Sequence, residues 1–248
     1  MTALPTAIVF LTRVPLPGVA TAADVGRAAR WFPIVGAALG VAAALAAWGL
    51  RDRLGMPPAL SALVVVALGA WVTGAIHLDG LADTADGFGG GRARDDVRRI
   101  MRDPAIGSCG AVALLLVMGI KGAALATLFE RDAALPFLVA APALSRWTIV
   151  ALGAWLPYAR ADDGLGRAVA GQRDTGGLLV ATAVTALVSV AALGTAALAS
   201  WTLAVLVMAA LGRTARRRIG GVTGDVFGAS VELSETAVLA GGVFLTGP

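Results

Sequence analysis

The sequence has one cysteine, Cys109, in 248 residues. That excludes an internal disulfide and a cysteine-built metal site. It also has one lysine, Lys121, and the other nineteen basic residues are arginine. Aromatic residues are few, six Trp and one Tyr among them, and no basic–aromatic repeat runs through the chain. Nucleic acid is therefore not an expected partner. Charged residues make up 15%, where a soluble domain carries about 25%. The apolar share is 58%, above the usual level of about 45–50%. The surplus is gathered in long runs, such as 57–76 and 134–155. A helix needs about 20 apolar residues to cross the hydrocarbon core. What polar sequence remains is too little for a separate soluble domain. Residues 1–248 are expected to form one integral membrane domain, an all-α polytopic helical bundle embedded in the lipid bilayer.

Run length and Gly, Pro and Arg punctuation give about seven spans. They are Trp31–Leu50, Pro57–Ile76, Gly107–Phe129, Ala134–Leu156, Gly176–Leu193, Ala197–Gly212 and Glu235–Gly247. The fifth and sixth come from one long run, turned near Gly194. Gly and Ala dominate these segments, which favours close helix–helix packing. Met1–Thr12 is apolar but lacks the basic start and small-residue cleavage site of a secretory signal, so it is expected to lie along or dip into the membrane.

This arrangement puts the N-terminal segment and residues 77–106, 157–175 and 213–234 on one side. That side holds fifteen arginines, from Arg13 to Arg218, against Arg51, Arg53 and Arg131 opposite. The positive-inside rule then makes it cytoplasmic, and the expected location is the cytoplasmic (inner) membrane. Thirteen of the sixteen carboxylates fall on the same side. The rule does not require this, because acids contribute little to orientation.

The sharpest local feature is His77-Leu-Asp-Gly-Leu-Ala-Asp-Thr-Ala-Asp-Gly87. Asp79, Asp83 and Asp86 are spaced i, i+4, i+7, one face of a helix. Like charges at that spacing repel. Bound Mg²⁺ or Mn²⁺ would offset the repulsion, since hard cations take carboxylate and phosphate oxygens. The plainer reading is a solvated acidic helix end. An arginine-rich stretch follows and leads to Arg102 and Asp103, placed to return towards the triad. A second segment, 220–235, is rich in glycine and carries Asp225, Glu232 and Glu235. Two acidic segments, distant in sequence but on one side, suggest a shared site; the alternative is a glycine-rich loop with capping acids. His77 stands beside the triad as a base or a packed residue. Lys121 and Arg146 fall inside spans, where charge is expensive. Each would snorkel to an interface or find a buried anion, and Arg146 is deep enough to suggest the second.

Taken in order, Phe10-Leu-Thr-Arg-x-Pro-x-Pro17, Phe32-Pro-x-x-Gly36, Thr73-Gly-x-x-His-Leu-Asp-Gly-Leu-Ala-Asp-Thr-Ala-Asp-Gly87, Ile100-Met-Arg-Asp-x-x-Ile-Gly107, Ser145-Arg146, Gly164-Leu-Gly166 and Gly220-Gly-x-Thr-Gly-Asp-x-x-Gly-Ala229 with Glu232 and Glu235 resemble the cobalamin synthase family. The resemblance covers most of the chain, and only residues 176–212 add nothing to it. It implies a phosphotransferase of cobalamin nucleotide-loop assembly. The substrates would be adenosylcobinamide-GDP and α-ribazole or its 5′-phosphate; the products would be adenosylcobalamin or its 5′-phosphate, plus GMP. Mg²⁺ is the implied cofactor, held by Asp79, Asp83 and Asp86, with Asp103 as a further ligand. A carboxylate of that group, or His77, would take the hydroxyl proton. Arg13, Arg102 and Arg146 would support phosphate. Asp225, Glu232 and Glu235 would bind substrate or a second metal. The resemblance leaves open an association with other cobalamin-assembly enzymes or a homo-oligomer. The acids are also similar to those of CDP-alcohol phosphotransferases, but the arginine usual after the alanine there is replaced by Asp83. A cation-coupled transporter is the contrasting class; it should carry acids near mid-span, whereas these are expected at the cytoplasmic ends.

Overall fold

The computed structural model describes residues 3–16, 21–160, 165–171 and 174–247; Pro17, Gly164 and Arg173 lie outside the described residues. A short helix, α1 (Ala3–Leu11), is followed by α2 (Ala22–Ala28). Thr21 and Asp24 begin α2 with a reciprocal capping box. A 3₁₀ turn joins α2 to α3 (Phe32–Trp48), so the first span starts well before Trp31. A π-helical turn, Gly49–Arg53, ends it. Then come α4 (Pro58–Thr73), α5 (Ile76–Gly90), α6 (Arg94–Ile100), α7 (Ser108–Glu130), α8 (Ala134–Trp155), α9 (Thr175–Leu193), α10 (Ala196–Ile219) and α11 (Gly224–Leu245).

Among the described residues six helices are long and apolar enough to cross a membrane. A seventh pass is available if α4 and α5, bent by 90° at their junction, count as one span. The all-helical, roughly seven-span expectation is therefore met. The bend has a local cause. Gly74 and Ala75 both adopt left-handed backbone, at φ 64° and 58°. A non-glycine residue there is uncommon, and the helix cannot continue through it.

The core is the α8–α11 pair, with α3, α7 and α10 around it. In α8, every residue from Ala143 to Val150 is buried. A helix covered on all sides reads as apolar all round, which is why no amphipathic stripe marks it in sequence. Gly36 and Gly40 of α3 face the backbone of α8 so closely that a Cβ at either would overlap the Pro142 or Leu138 carbonyl. This is the small-residue packing of membrane helices. Phe10 of α1 stacks on Phe32 at 5.3 Å, tying α1 to the start of α3.

Two further boundaries differ from expectation, and these differences matter for function. The sixth span does not stop at Gly212 but runs to Ile219, with Arg216, Arg217 and Arg218 in its last turn. Cations are favoured at that end of a helix dipole. Gly220, at φ 86°, then ends it. The last helix begins not at Glu235 but at Gly224, behind a Thr223 N-cap. The segment read as a polar loop is mostly helix. Its Gly, Ala and Ser residues form a packing face rather than a flexible connector.

Candidate active site

The acids of α5 sit on one helix, as their spacing predicts. Asp79 is exposed, while Asp83 and Asp86 are half-buried. Helix α11 crosses α5 at Gly80, where an added Cβ would lie 2.9 Å from Asp225 Cα. Only a residue without a side chain allows that approach. The crossing brings Asp225 to the α5 acids. Asp83 lies within electrostatic reach of Asp225, Asp79 and Asp86, and Asp225 within reach of Asp79. Residues about 140 apart in sequence thus share one polar patch.

Among the described residues, Arg160 faces this group. Arg160 Nη2 donates to Asp225 Oδ2 at 2.6 Å, and the guanidinium also reaches Asp83 electrostatically. Sequence reasoning counted Arg160 only as a topology residue. Nothing in its local sequence distinguishes it. Its position comes from a contact between distant segments: Ala159 N–H donates to Val222 O at 2.8 Å, and Val222 N–H to Pro157 O at 2.9 Å. These bonds hold the end of the 157–160 segment against the start of α11.

Asp86 has an additional duty. Its two carboxylate oxygens accept from Gly107 N–H at 2.7 Å and Gly110 N–H at 2.8 Å. It therefore caps the N-terminus of α7, whose first amides have no intrahelical acceptor, and the negative charge suits that helix end. Asp86→Ala should remove the cap and lower stability by about 0.5–2 kcal/mol, seen as a lower unfolding midpoint in detergent.

The other expected residues are placed as follows. Asp103 is exposed and accepts from Ala105 N–H at 3.0 Å. Arg102 is exposed in the turn after α6. Arg13 covers the α4–α5 bend: its backbone N–H donates to Val72 O at 2.8 Å, and its side chain packs on Gly74. His77 is buried, and its Nε2 has no hydrogen-bond partner. It lies within electrostatic reach of Arg146, Glu235 and Lys121, so it stands between the acidic patch and a second cluster.

That second cluster corrects the sequence reading. Glu232 and Glu235 are not at the end of the bundle; they lie well inside α11, facing its interior. Lys121 Nζ donates to Glu232 Oε2 at 2.7 Å and to Glu235 Oε1 at 3.0 Å. Arg146 pairs with Glu235, and Ser145 Oγ donates to Glu235 Oε2 at 3.2 Å. The buried anion suggested for Arg146 is there, and Lys121 does not snorkel. These two acids therefore do not crowd at the cytoplasmic ends as expected. Each glutamate is nevertheless paired with a buried cation. Removing one partner of a buried pair costs about 3–5 kcal/mol. Lys121→Met should destabilise by that order, and adding Glu232→Gln should recover much of the loss in a thermal-unfolding series.

Whether this chemistry suits a divalent ion can be judged from the donors. Among the described residues no three His, Cys, Asp or Glu side chains are gathered to hold a metal by themselves. Mg²⁺ does not require that, since it keeps waters and takes one or two carboxylates plus substrate phosphates. Asp79 and Asp83, one turn apart and within reach of Asp225, provide hard carboxylate oxygens and negative charge. They fit Mg²⁺ in donor type and charge.

The described residues form an all-helical bundle of the kind that crosses membranes, with two acid-bearing helices, α5 and α11, crossing at Gly80. The chain belongs to the cobalamin-5-phosphate synthase family, which it matches over residues 3–243. It is 41% identical to the adenosylcobinamide-GDP ribazoletransferase of Bradyrhizobium diazoefficiens, over 93% of this chain and 88% of that one. It is 39% identical to the protein of the same name from Prosthecochloris aestuarii, over 98% and 97% of the two chains. The Sinorhizobium medicae protein, also so named, is 40% identical over 94% and 92%. No solved structure matches the chain.

Proposed function

We propose that the chain is an adenosylcobinamide-GDP ribazoletransferase. It joins adenosylcobinamide-GDP to α-ribazole, or to its 5′-phosphate, and releases GMP. The observation that carries this reading is the meeting of Asp79 and Asp83 with Asp225 at the α5–α11 crossing, since these are residues on which the family resemblance rests. Full-length relatives of that name support it.

In this reaction a ribose hydroxyl forms a bond to the phosphorus attached to cobinamide. The bond from that phosphorus to the GMP phosphate oxygen breaks, and the hydroxyl proton leaves. Such a transfer needs chiefly positioning and neutralisation of charge. Asp79 and Asp83 would hold Mg²⁺, which when bound neutralises diphosphate charge. A carboxylate of the α5–α11 group takes the hydroxyl proton. Asp225, oriented by Arg160, fixes the incoming nucleoside or the amides of the corrinoid. Arg13 and Arg102, exposed on the same side of the bundle, steady phosphate oxygens. Arg146 and His77 lie deeper and act on the part of a substrate that enters the bundle. The direct test is mass spectrometry of purified protein incubated with adenosylcobinamide-GDP, α-ribazole and Mg²⁺. Product and GMP should appear together, and no product from active, folded protein would overturn the reading.

We also place the α5–α6 end in the cytoplasm of a cell whose inner membrane the bundle crosses, on the fifteen-to-three arginine split. The native Cys109 is exposed and near that end of α7, which makes it a topology probe. A membrane-impermeant maleimide should label it in inside-out vesicles but not in intact cells. The reverse pattern would invert the topology.

A further inference from the structure

A cavity of about 250 Å³ lies between α3 and α4, backed by α7, α8 and α11. Most of its wall is apolar, with Leu39, Val66 and Leu138 among the lining. Lys121, Arg146, Glu232 and Glu235 also reach it. Leu78 lines it too, and Leu78 immediately precedes Asp79. The cavity therefore runs from the bundle interior to the edge of the acidic patch.

Pockets that take a whole drug-sized ligand measure about 300–1,000 Å³, with apolar walls and a few placed polar groups. This one has the same character but is smaller, so it suits one moiety of a substrate. An acyl chain would fill the apolar part and gain nothing from four charged side chains. A heteroaromatic ring gains from both. One polar group there is also spare: Arg146 is 5% exposed, and its Nε–H has no hydrogen-bond partner. A buried donor without an acceptor is costly, and a ligand that supplies the acceptor relieves that cost.

We propose that this cavity is the base subsite: it takes the flat, fused-ring aromatic base of the ribazole nucleoside, with Arg146 Nε–H donating to the ring nitrogen and the sugar directed towards Asp79. The inference rests on the function proposed above and adds where the acceptor nucleoside sits.

Two lining residues allow the cavity to be filled without touching the acids. Val66→Phe and Ala43→Leu should each raise the KM for α-ribazole about tenfold, equivalent to about 1.4 kcal/mol. The KM for adenosylcobinamide-GDP should not move. On unaltered protein, an α-ribazole analogue with a photoreactive azide on its base should crosslink to peptides from the cavity-lining parts of α3, α4, α7, α8 or α11. If the wild type turns over while both filled variants keep its ribazole KM, or if the crosslink maps elsewhere, the subsite is wrong. If native mass spectrometry finds a lipid displaced by Val66→Phe while ribazole KM holds, the cavity is a lipid site. If the wild type makes no product, the proposed function fails instead. The crosslink needs no turnover, so it still decides whether an aromatic base occupies the cavity, even if a filled variant does not fold.

Discussion

Asp83→Asn protein should insert and fold normally yet, with one of the two carboxylates proposed to hold Mg²⁺ lost, release GMP about 10²–10⁴-fold more slowly than the wild type, a loss as large as that of a proton-transfer group. Asp83 is half-buried, one turn from Asp79, and within reach of Asp225, Asp86 and Arg160. Asparagine keeps its shape and removes its charge. In the wild type that charge adds to the mutual repulsion of Asp79, Asp83, Asp86 and Asp225. A substitution that eases repulsion should leave the fold no less stable, so a loss of turnover would report on chemistry. Single-turnover GMP release, with size-exclusion profiles as the folding control, makes the comparison. Near-wild-type rates at ordinary Mg²⁺ concentration would remove Asp83 from the catalytic group.

Replacing Asp225 should have an effect of similar size, although it is on a different helix. If the α5 and α11 acids act as one unit, Asp225→Ala and Asp83→Asn each disable it, and the double variant should be little worse than either alone. Residues that act together are strongly non-additive in kinetics. Asp225 also holds Arg160 at 2.6 Å. Asp225→Asn, which keeps a hydrogen-bond acceptor for that guanidinium, separates loss of charge from loss of the contact. Effects that multiply independently would mean that α5 alone carries the chemistry and that Asp225 serves the packing of α11.

The α5 acids were legible because a helix repeats every 3.6 residues, and three aspartates at matching offsets declare a face before any coordinates exist. The number of passes was legible because crossing a bilayer requires length and apolarity together. Arg160 was not legible, since its role depends on a backbone pairing of residues 157–159 with Val222. The ends of α10 and α11 were misread for a chemical reason. Glycine, serine and acid signal a loop in water, but in a bundle core the same small residues permit close packing and the acids can be buried against cations. Arg146, deep inside a span, was the clue to that burial. What it could not disclose is that one lysine serves two glutamates.

The separation of that ion cluster along the chain bears on how the protein is made. Lys121 precedes Glu232 by 111 residues, and Arg146 precedes Glu235 by 89. During synthesis both cations leave the ribosome long before the helix that neutralises them. Each unpaired basic residue at mid-helix opposes insertion by about 2.5–3.5 kcal/mol on translocon scales. Helices α7 and α8 should therefore be held at the translocon, or inserted only provisionally, until α11 arrives. The same helix brings Asp225, so the event that makes the nascent bundle stable in lipid also completes its acidic patch. A chain truncated before Gly224 would carry two uncompensated charges in its core, marking it for membrane proteolysis before it could bind substrate.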